Sequence, residues 1–373
     1  MAGGNEEALE SLSAMGDLFE GFFDWLADRY DPVSGGFYYA GSSAYLAKEP
    51  DIESTAQALT ILDQTGLLTG MPVTVRRRLI AFLQRKQDPA GGYFWDEDPA
   101  MRQDEVMAAR AIGYSRNALY KLGAEPLYPL PGGLTTAPSY MSSPSAYREW
   151  LKSIPLTNSW RGCDRLCGSQ AYIKALPVEK QGDYVKEALR FFEETQDSAT
   201  GLWGEGSLYV RVSGTFKLHT FYGAFRERMP RTDDIRRTVL HCLRTEEAID
   251  MCYIRNPVDL MYYTKAAMDA EELAGFLKIT LGNMGRLLRP DGGFSRELAH
   301  SPAAPNVAQV KDGEYYPDMP EPVRLGLGLL EGDMNAGTQA VRIREWCHKL
   351  AGLPAPKWKV DDVRFFERFH AGV

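Results

Sequence analysis

The sequence predicts an all-α fold built from a repeated helix-and-turn unit, and three observations lead there. First, one phrase recurs: Arg76–Trp95 (RRRLIAFLQRKQDPAGGYFW) and Phe191–Trp203 (FFEETQDSATGLW) each run from an apolar helical stretch to a Gln, a glycine and an aromatic. Their offsets match to within one residue, and imperfect copies lie at Trp25–Phe37, with Tyr30 in place of the Gln, and at Leu287–Phe294, with Arg289 there. Repeats of this kind mark one supersecondary unit stacked on its neighbours. Second, apolar residues between the copies recur at helical spacing. Third, the Gly-Gly pairs follow helices instead of strands, so they read as helix stops and not as phosphate-binding loops.

The chemistry of the phrase is local. A Gln or Arg in a helix's last turn can donate to the free carbonyls there, Asp-Pro and Gly-Gly end the helix and supply the turn, and the aromatic fills the gap beside it. Tyr93, Trp203 and Phe294 are therefore expected at equivalent positions, as plugs after an outer helix. The phrase resembles the QW-type repeat of the terpene cyclase and protein prenyltransferase superfamily. That resemblance implies a toroid of helical hairpins, with an inner ring of helices inside an outer one. The acid and metal motifs of terpene cyclases are missing: Asp96-Glu97-Asp98-Pro99 is the nearest stretch to an Asp-x-Asp-Asp acid, and neither Asp233-Asp234 nor Asp361-Asp362 extends to an Asp-Asp-x-x-Asp metal motif.

Taken in order, Glu6–Arg29 is the first outer helix, with Leu9, Leu12, Met15, Leu18, Phe22, Trp25 and Leu26 on one stripe. Asp51–Leu67, opened by carboxylates and rich in Ala, Leu and Ile, is the first inner helix. Val73–Gln87 and Arg102–Leu122 form the second pair. A proline-rich loop at 124–144, too aromatic to be a free linker, precedes a short outer helix at Ser145–Ser153 and an inner one ending near Leu176. Glu179–Gln196 with Val212–Arg228 and Asp233–Arg244 with Pro257–Met268 form the next two pairs. Glu271–Arg289 is the sixth outer helix; a lid loop at 295–322, the inner helix Asp333–Leu350 and an outlying tail at 353–373 follow. Phe37 to Tyr93 spans 56 residues, Tyr93 to Trp203 spans 110 and Trp203 to Phe294 spans 91. These intervals fit six outer–inner pairs with a compact fifth, an (α/α)6 toroid occupying 1–373 as one domain.

With 44% hydrophobic residues in 373, the chain can bury a large core. A net charge of −8 and a pI near 5.4 argue against nucleic acid as a partner; Arg76-Arg77-Arg78 reads as a solvated helix face. Met1–Glu10 is acidic, unlike a signal peptide, and no apolar run approaches the ~18 residues of a membrane span, so a cytoplasmic protein is expected. Five cysteines in no zinc-like spacing read as reduced thiols, and five scattered histidines give no metal pair, so neither metal nor cofactor is expected. Oligomeric state is not legible.

In a toroid each inner helix begins just after a turn, so the inner N-termini ring one end of the barrel. That rim supplies the site candidates. Glu53, Glu331, Asp51, Asp104 and Asp333 are the acid–base candidates, with the two Glu preferred because an Asp at a helix start is also an ordinary cap. Trp160, Arg161, Arg211, His219, Tyr222, Arg255, Asn256 and Tyr316 are the substrate-binding candidates, although Trp160 and His219 also suit structural roles. A rim dense in carboxylate, guanidinium and amide suits a polar, multiply hydroxylated or anionic ligand. The leading expectation is a glycoside hydrolase or an oligosaccharide lyase acting by acid–base catalysis. An isoprenoid cyclase with unusual catalytic residues, or a non-catalytic toroid scaffold, are the alternatives. A cleft of converging carboxylates and Arg favours sugar, a dry aromatic tunnel favours isoprenoid, and a filled centre favours scaffold.

Overall fold

A computed structural model describes residues 2–99, 102, 105–131, 138–304 and 323–370. Asp104, Tyr316, most of the expected lid loop and the middle of the 124–144 loop lie outside the described residues. Among those described the fold is all-helical, with isolated β-bridges and no strand. The helices are α1 (Ala2–Asp17), α2 (Phe22–Ala27), α3 (Ile52–Gln64), α4 (Leu67–Gly70), α5 (Val73–Arg85), α6 (Glu105–Leu122), α7 (Pro144–Ser153) and α8 (Ser159–Ala175). They continue with α9 (Val178–Thr195), α10 (Leu208–Ala224), α11 (Thr232–Thr245), α12 (Met251–Thr264), α13 (Ala270–Leu287), α14 (Met334–Leu350) and α15 (Asp362–Glu367).

Their starts follow capping chemistry, in which a side-chain oxygen takes one of the helix's unpaired N–H groups. Asp51 caps α3, Ser143 caps α7, Asn158 caps α8, Ser207 caps α10, Asp250 caps α12 and Asp333 caps α14. The inner helices pack in the order α6, α3, α14, α12, α10, α8. Outside them run α1–α2, α5, α7, α9, α11 and α13, and the first and last of these, α1 and α13, pack extensively on each other. One contiguous apolar cluster runs from Ala8 to Phe369.

The repeated phrase has one geometry at all four sites. The bridges pair Tyr30 with Phe37, Gln87 with Phe94, Gln196 with Trp203 and Leu288 with Phe294. Gly35, Gly92, Gly201 and Gly292 stand at φ of 84°, 73°, 71° and 88°, a left-handed conformation that glycine adopts without strain. A Cβ there would also collide with the next unit: with Arg78 on α5, Pro129 in the following loop, Ile235 on α11 and Gly21 before α2. The last turn thus meets the first outer segment. The aromatic stands two residues after the positive-φ glycine, which corrects the expected register: Phe94, fully buried, is the equivalent of Phe37, Trp203 and Phe294, while Tyr93 is only half-buried. The two glutamines also act differently from expectation. Gln87 Nε2 donates to Gly92 O (3.1 Å) and Tyr128 O (2.8 Å), and Gln196 Nε2 donates to Gly201 O (2.8 Å) and Pro230 O (3.3 Å). They fasten the turn to the next loop instead of ending the helix. Arg289 does both, donating to Arg286 O within its helix and to Glu297 O and Leu298 O beyond it.

Three further expectations are corrected. The first outer helix is broken at Gly21 (φ 84°) into α1 and α2. The inner helix expected from Pro257 begins six residues earlier, because Asp250 caps it and Pro257 is accommodated in its interior at the loss of one backbone donor. The tail is not outlying: Phe365, Phe366 and Phe369 are buried, Phe369 stacks on Tyr30 at 4.1 Å, and Arg368 pairs with Asp24 and Asp28 on and beside α2.

Candidate active site

The start of α3 carries two carboxylates. Asp51 accepts from Ser54 N at 2.8 Å as an ordinary cap, and Asp96, from the segment just past the second repeat turn, accepts from Ile52 N at 3.1 Å. Lys86, whose side chain is only 6% exposed, reaches Asp96 at 2.9 Å from the end of α5. Asp51 and Asp96 border a solvent-open cavity of about 50 Å³. Tyr39, Met107, Val323 and Leu325 give the cavity a mainly apolar surface, while Asp51, Glu53, Asp96, Asp98, Gln57 and Asn335 supply polar atoms at its wall.

Burial, reinforced by the Asp96 carboxylate, raises the pKa of Asp51 to about 7 against the pull of the Ser54 N–H. Burial raises Asp96 as well, opposed by Lys86 and by the Ile52 N–H. Two carboxyls at one helix start repel each other when both are ionised, so they titrate as a pair. Lys86 favours charge on Asp96, which leaves Asp51 the one more readily protonated near neutrality. Beside them Glu53 is held by three donors: Arg110 at 2.8 Å, Tyr114 Oη at 3.2 Å and Gln57 Nε2 at 3.1 Å.

The other predicted residues are dispersed. Asp333 is fully buried and accepts from Ala336 N (2.8 Å), Arg296 N (2.5 Å) and Ser301 Oγ (2.8 Å); burial raises its pKa to about 6. Glu331 takes the backbone N–H and hydroxyl of Ser42, bracing the 323–332 segment. Neither lines the cavity. Arg211 is committed to Asp197 at 2.8 Å and Thr200 at 2.9 Å, tying a repeat turn to α10, and Tyr222 lies in the core against Phe192 and Trp203. Trp160 is half-buried at the start of α8, flanked by Arg161 and by Lys217, which pairs with Asp164. His219 stacks on Tyr263 at 4.1 Å, and burial lowers its pKa to about 4. Because α12 starts early, Arg255 and Asn256 lie in its second turn: Arg255 pairs with the fully buried Asp259, and Asn256 donates to Ser213. Asp104 and Tyr316 lie outside the described residues. Among the described residues no cluster of His, Cys, Asp and Glu is placed to hold a metal ion, and no helix is long and apolar enough to cross a membrane.

Sequence reasoning missed Asp96, Lys86, Arg110 and Tyr114. Asp96 stands in a stretch that departs from the Asp-x-Asp-Asp motif and follows a turn, so its residue type alone does not mark it. The usable signal was the repeat itself, which carries the residues just past each aromatic toward the inner-helix starts.

Fold and site together define a ring of paired helices with a carboxylate-walled cavity at the inner-helix N-termini. No known protein-family model matches the chain. Among curated proteins, an aliphatic aldoxime dehydratase from Pseudomonas sp. is 29% identical over 91 residues, 24% of this chain; the chain spans about a quarter, 24%, of that relative's length. Among solved structures, a variant of the type II terpene cyclase MstE from Scytonema has a TM-score of 0.44 at 14% identity, over 92% of this chain and 99% of that one. A variant of the same cyclase in complex with geranylgeranyl dihydroxybenzoate scores 0.40 at 16%, covering 92% and 99%. A protein from Actinoplanes scores 0.41 at 16%, covering 91% and 99%. Likenesses this distant say nothing of activity or substrate.

Proposed function

We infer that the chain is an enzyme of proton-initiated chemistry on a small, mainly apolar substrate, of the isoprenoid cyclase kind, with Asp51 as the acid. The observation that carries this reading is the Asp51–Asp96 pair on the wall of a mainly apolar cavity. A general acid works best with a pKa near the operating pH, and burial beside Asp96 puts Asp51 there. A carbon–carbon double bond bound in the cavity takes the proton: its π pair forms the new C–H bond, and the positive charge passes to the neighbouring carbon. The Asp51 carboxylate left behind keeps the Ser54 N–H and the positive end of α3. Glu53, Asp96 and Asp98 also stand at the wall, each paired with a cation, Arg110, Lys86 and Lys48. The later loss of a proton from the product cation can return it to Asp51.

An oligosaccharide substrate finds no support of this kind: Glu53 is engaged by Arg110, and Glu331 is taken up by Ser42 away from the cavity. A pure scaffold does not call for an open cavity walled by carboxylates. The test is incubation with polyprenyl alcohols and polyprenyl carboxylic acids of ten to twenty carbons in deuterated water, read by gas chromatography and mass spectrometry. A product isomeric with the substrate and carrying one deuteron, absent with Asp51→Asn, is the expected result. Unchanged substrate across the series, or equal turnover by Asp51→Asn, overturns the reading.

A further inference from the structure

Deeper in the ring lies a second polar cluster that this chemistry does not use. Asp259 on α12 is fully buried and lies between two guanidiniums: Arg255 Nη1 at 3.3 Å and Arg342 Nε at 3.0 Å. Two other cations on inner helices have their own carboxylates, Arg110 with Glu53 and Lys217 with Asp164. His219 adds no charge at neutral pH, since burial and the two arginines keep it unprotonated. Within this trio, one carboxylate for two guanidiniums leaves a surplus of one positive charge.

The cluster is open to a ligand, because the Arg255 side chain is 22% exposed and that of Arg342 is 33% exposed. Aromatic faces frame it, with Arg255 over Phe216 at 4.5 Å, Arg342 over Trp346 at 5.5 Å, and Arg342 Nη2 donating to Tyr263 Oη at 3.3 Å. Among the described residues Arg255 Nε is buried without an acceptor, and Gln339 Oε1 is buried without a donor. Gln339 Nε2 donates to Asn335, which lines the cavity beside Asp51. Asn335, Gln339 and Arg342 follow one another along a single face of α14, so the guanidinium lies about 10 Å along the helix axis from the cavity wall, at about 1.5 Å per residue.

We propose that Arg255 and Arg342 form an anchor for the carboxylate of an amphipathic ligand whose apolar body extends along α14 toward Asp51. The surplus of one charge matches a monoanion, and a guanidinium fork suits a carboxylate through paired N–H donors. A phosphate, with about −1.5 to −2 charges near neutrality, is less well matched. The anchor deepens the reading of the Asp51 site by naming the head group of its substrate, yet binding alone tests it.

Calorimetric titration of the full chain with decanoate, decanol and inorganic phosphate makes that test. Decanoate is expected to bind saturably and at least ten times more tightly than decanol or phosphate. Arg342→Gln and, separately, Arg255→Gln are expected to weaken decanoate tenfold or more while leaving decanol unchanged, and Asp259→Asn, which enlarges the surplus, is expected to tighten it. Decanoate affinity unchanged in both arginine variants, phosphate binding more tightly than decanoate, or Asp259→Asn weakening decanoate as much as Arg342→Gln overturns the anchor. Asp51→Asn is expected to bind decanoate like the parent. That separates the two inferences, since lost turnover with intact binding bears on Asp51 alone and lost binding with intact turnover on the anchor alone.

Discussion

Asp51 and Asp333 begin alike and end differently. Each is an aspartate just ahead of an inner helix, each accepts from the backbone N–H three residues on at 2.8 Å, and burial raises the pKa of each. Around Asp333 the protein supplies donors, from Arg296 N and Ser301 Oγ, and the cationic Arg296 side chain lies near enough to favour ionisation. Around Asp51 it supplies a second carboxylate and an opening. A cap becomes a candidate acid when its neighbour is another acid and its side chain lines a cavity.

The largest expected effect breaks that comparison most directly. Asparagine caps helices as well as aspartate does, so Asp51→Asn is expected to lower kcat/KM by about 10²-fold or more with little change in Tm. Asp333→Asn is expected to do the reverse: it turns an amide N–H toward groups that now donate, costing about 1–3 kcal/mol in denaturant unfolding while the folded enzyme keeps its turnover. If the two variants behave alike, the distinction between cap and acid is lost.

Asp96→Asn sharpens the contrast. Removing the facing charge is expected to lower the Asp51 pKa, shifting the alkaline limb of the pH–rate profile to lower pH. A limb that stays in place would mean that burial alone sets the acid. The same carboxyl pair also bears on stability. A folded-state pKa raised from 3.8 to about 7 means that the folded protein holds the proton more strongly than the unfolded chain. Stability then falls as pH rises from about 4 to about 7. Wild-type Tm is expected to decline across that window more steeply than the Tm of Asp51→Asn, and parallel curves would contradict the raised pKa.

Much of the fold was legible because its signals are local. Caps and apolar stripes placed nearly every helix within a few residues, and the repeated glycine-aromatic phrase marked the turns. The failures came where two local signals competed. Pro257 looks like a helix start, and only the Asp250 cap, seven residues upstream of the expected start, overrides it; Tyr93-Phe94 offers two adjacent rings, and only the positive φ of Gly92 selects the second. The site was half legible for a different reason. Asp51 and Glu53 announce themselves at a helix start, whereas Asp96, 45 residues further on, becomes their neighbour only when the segment beyond the second turn crosses back to α3.

The close approach of the Gly292 turn to Gly21 carries a consequence for how the chain assembles. These two glycines are 271 residues apart, so joining the last turn to the first outer segment closes a very long loop, with an entropic cost of about 5 kcal/mol by the logarithmic rule. The intermediate units can gather progressively from near neighbours, but the seam between α1 and α13 forms only when both ends of the chain are in place. Refolding is therefore expected to end in one slow step that joins the two ends, and any side chain at Gly292 would obstruct that step before it disturbed anything else.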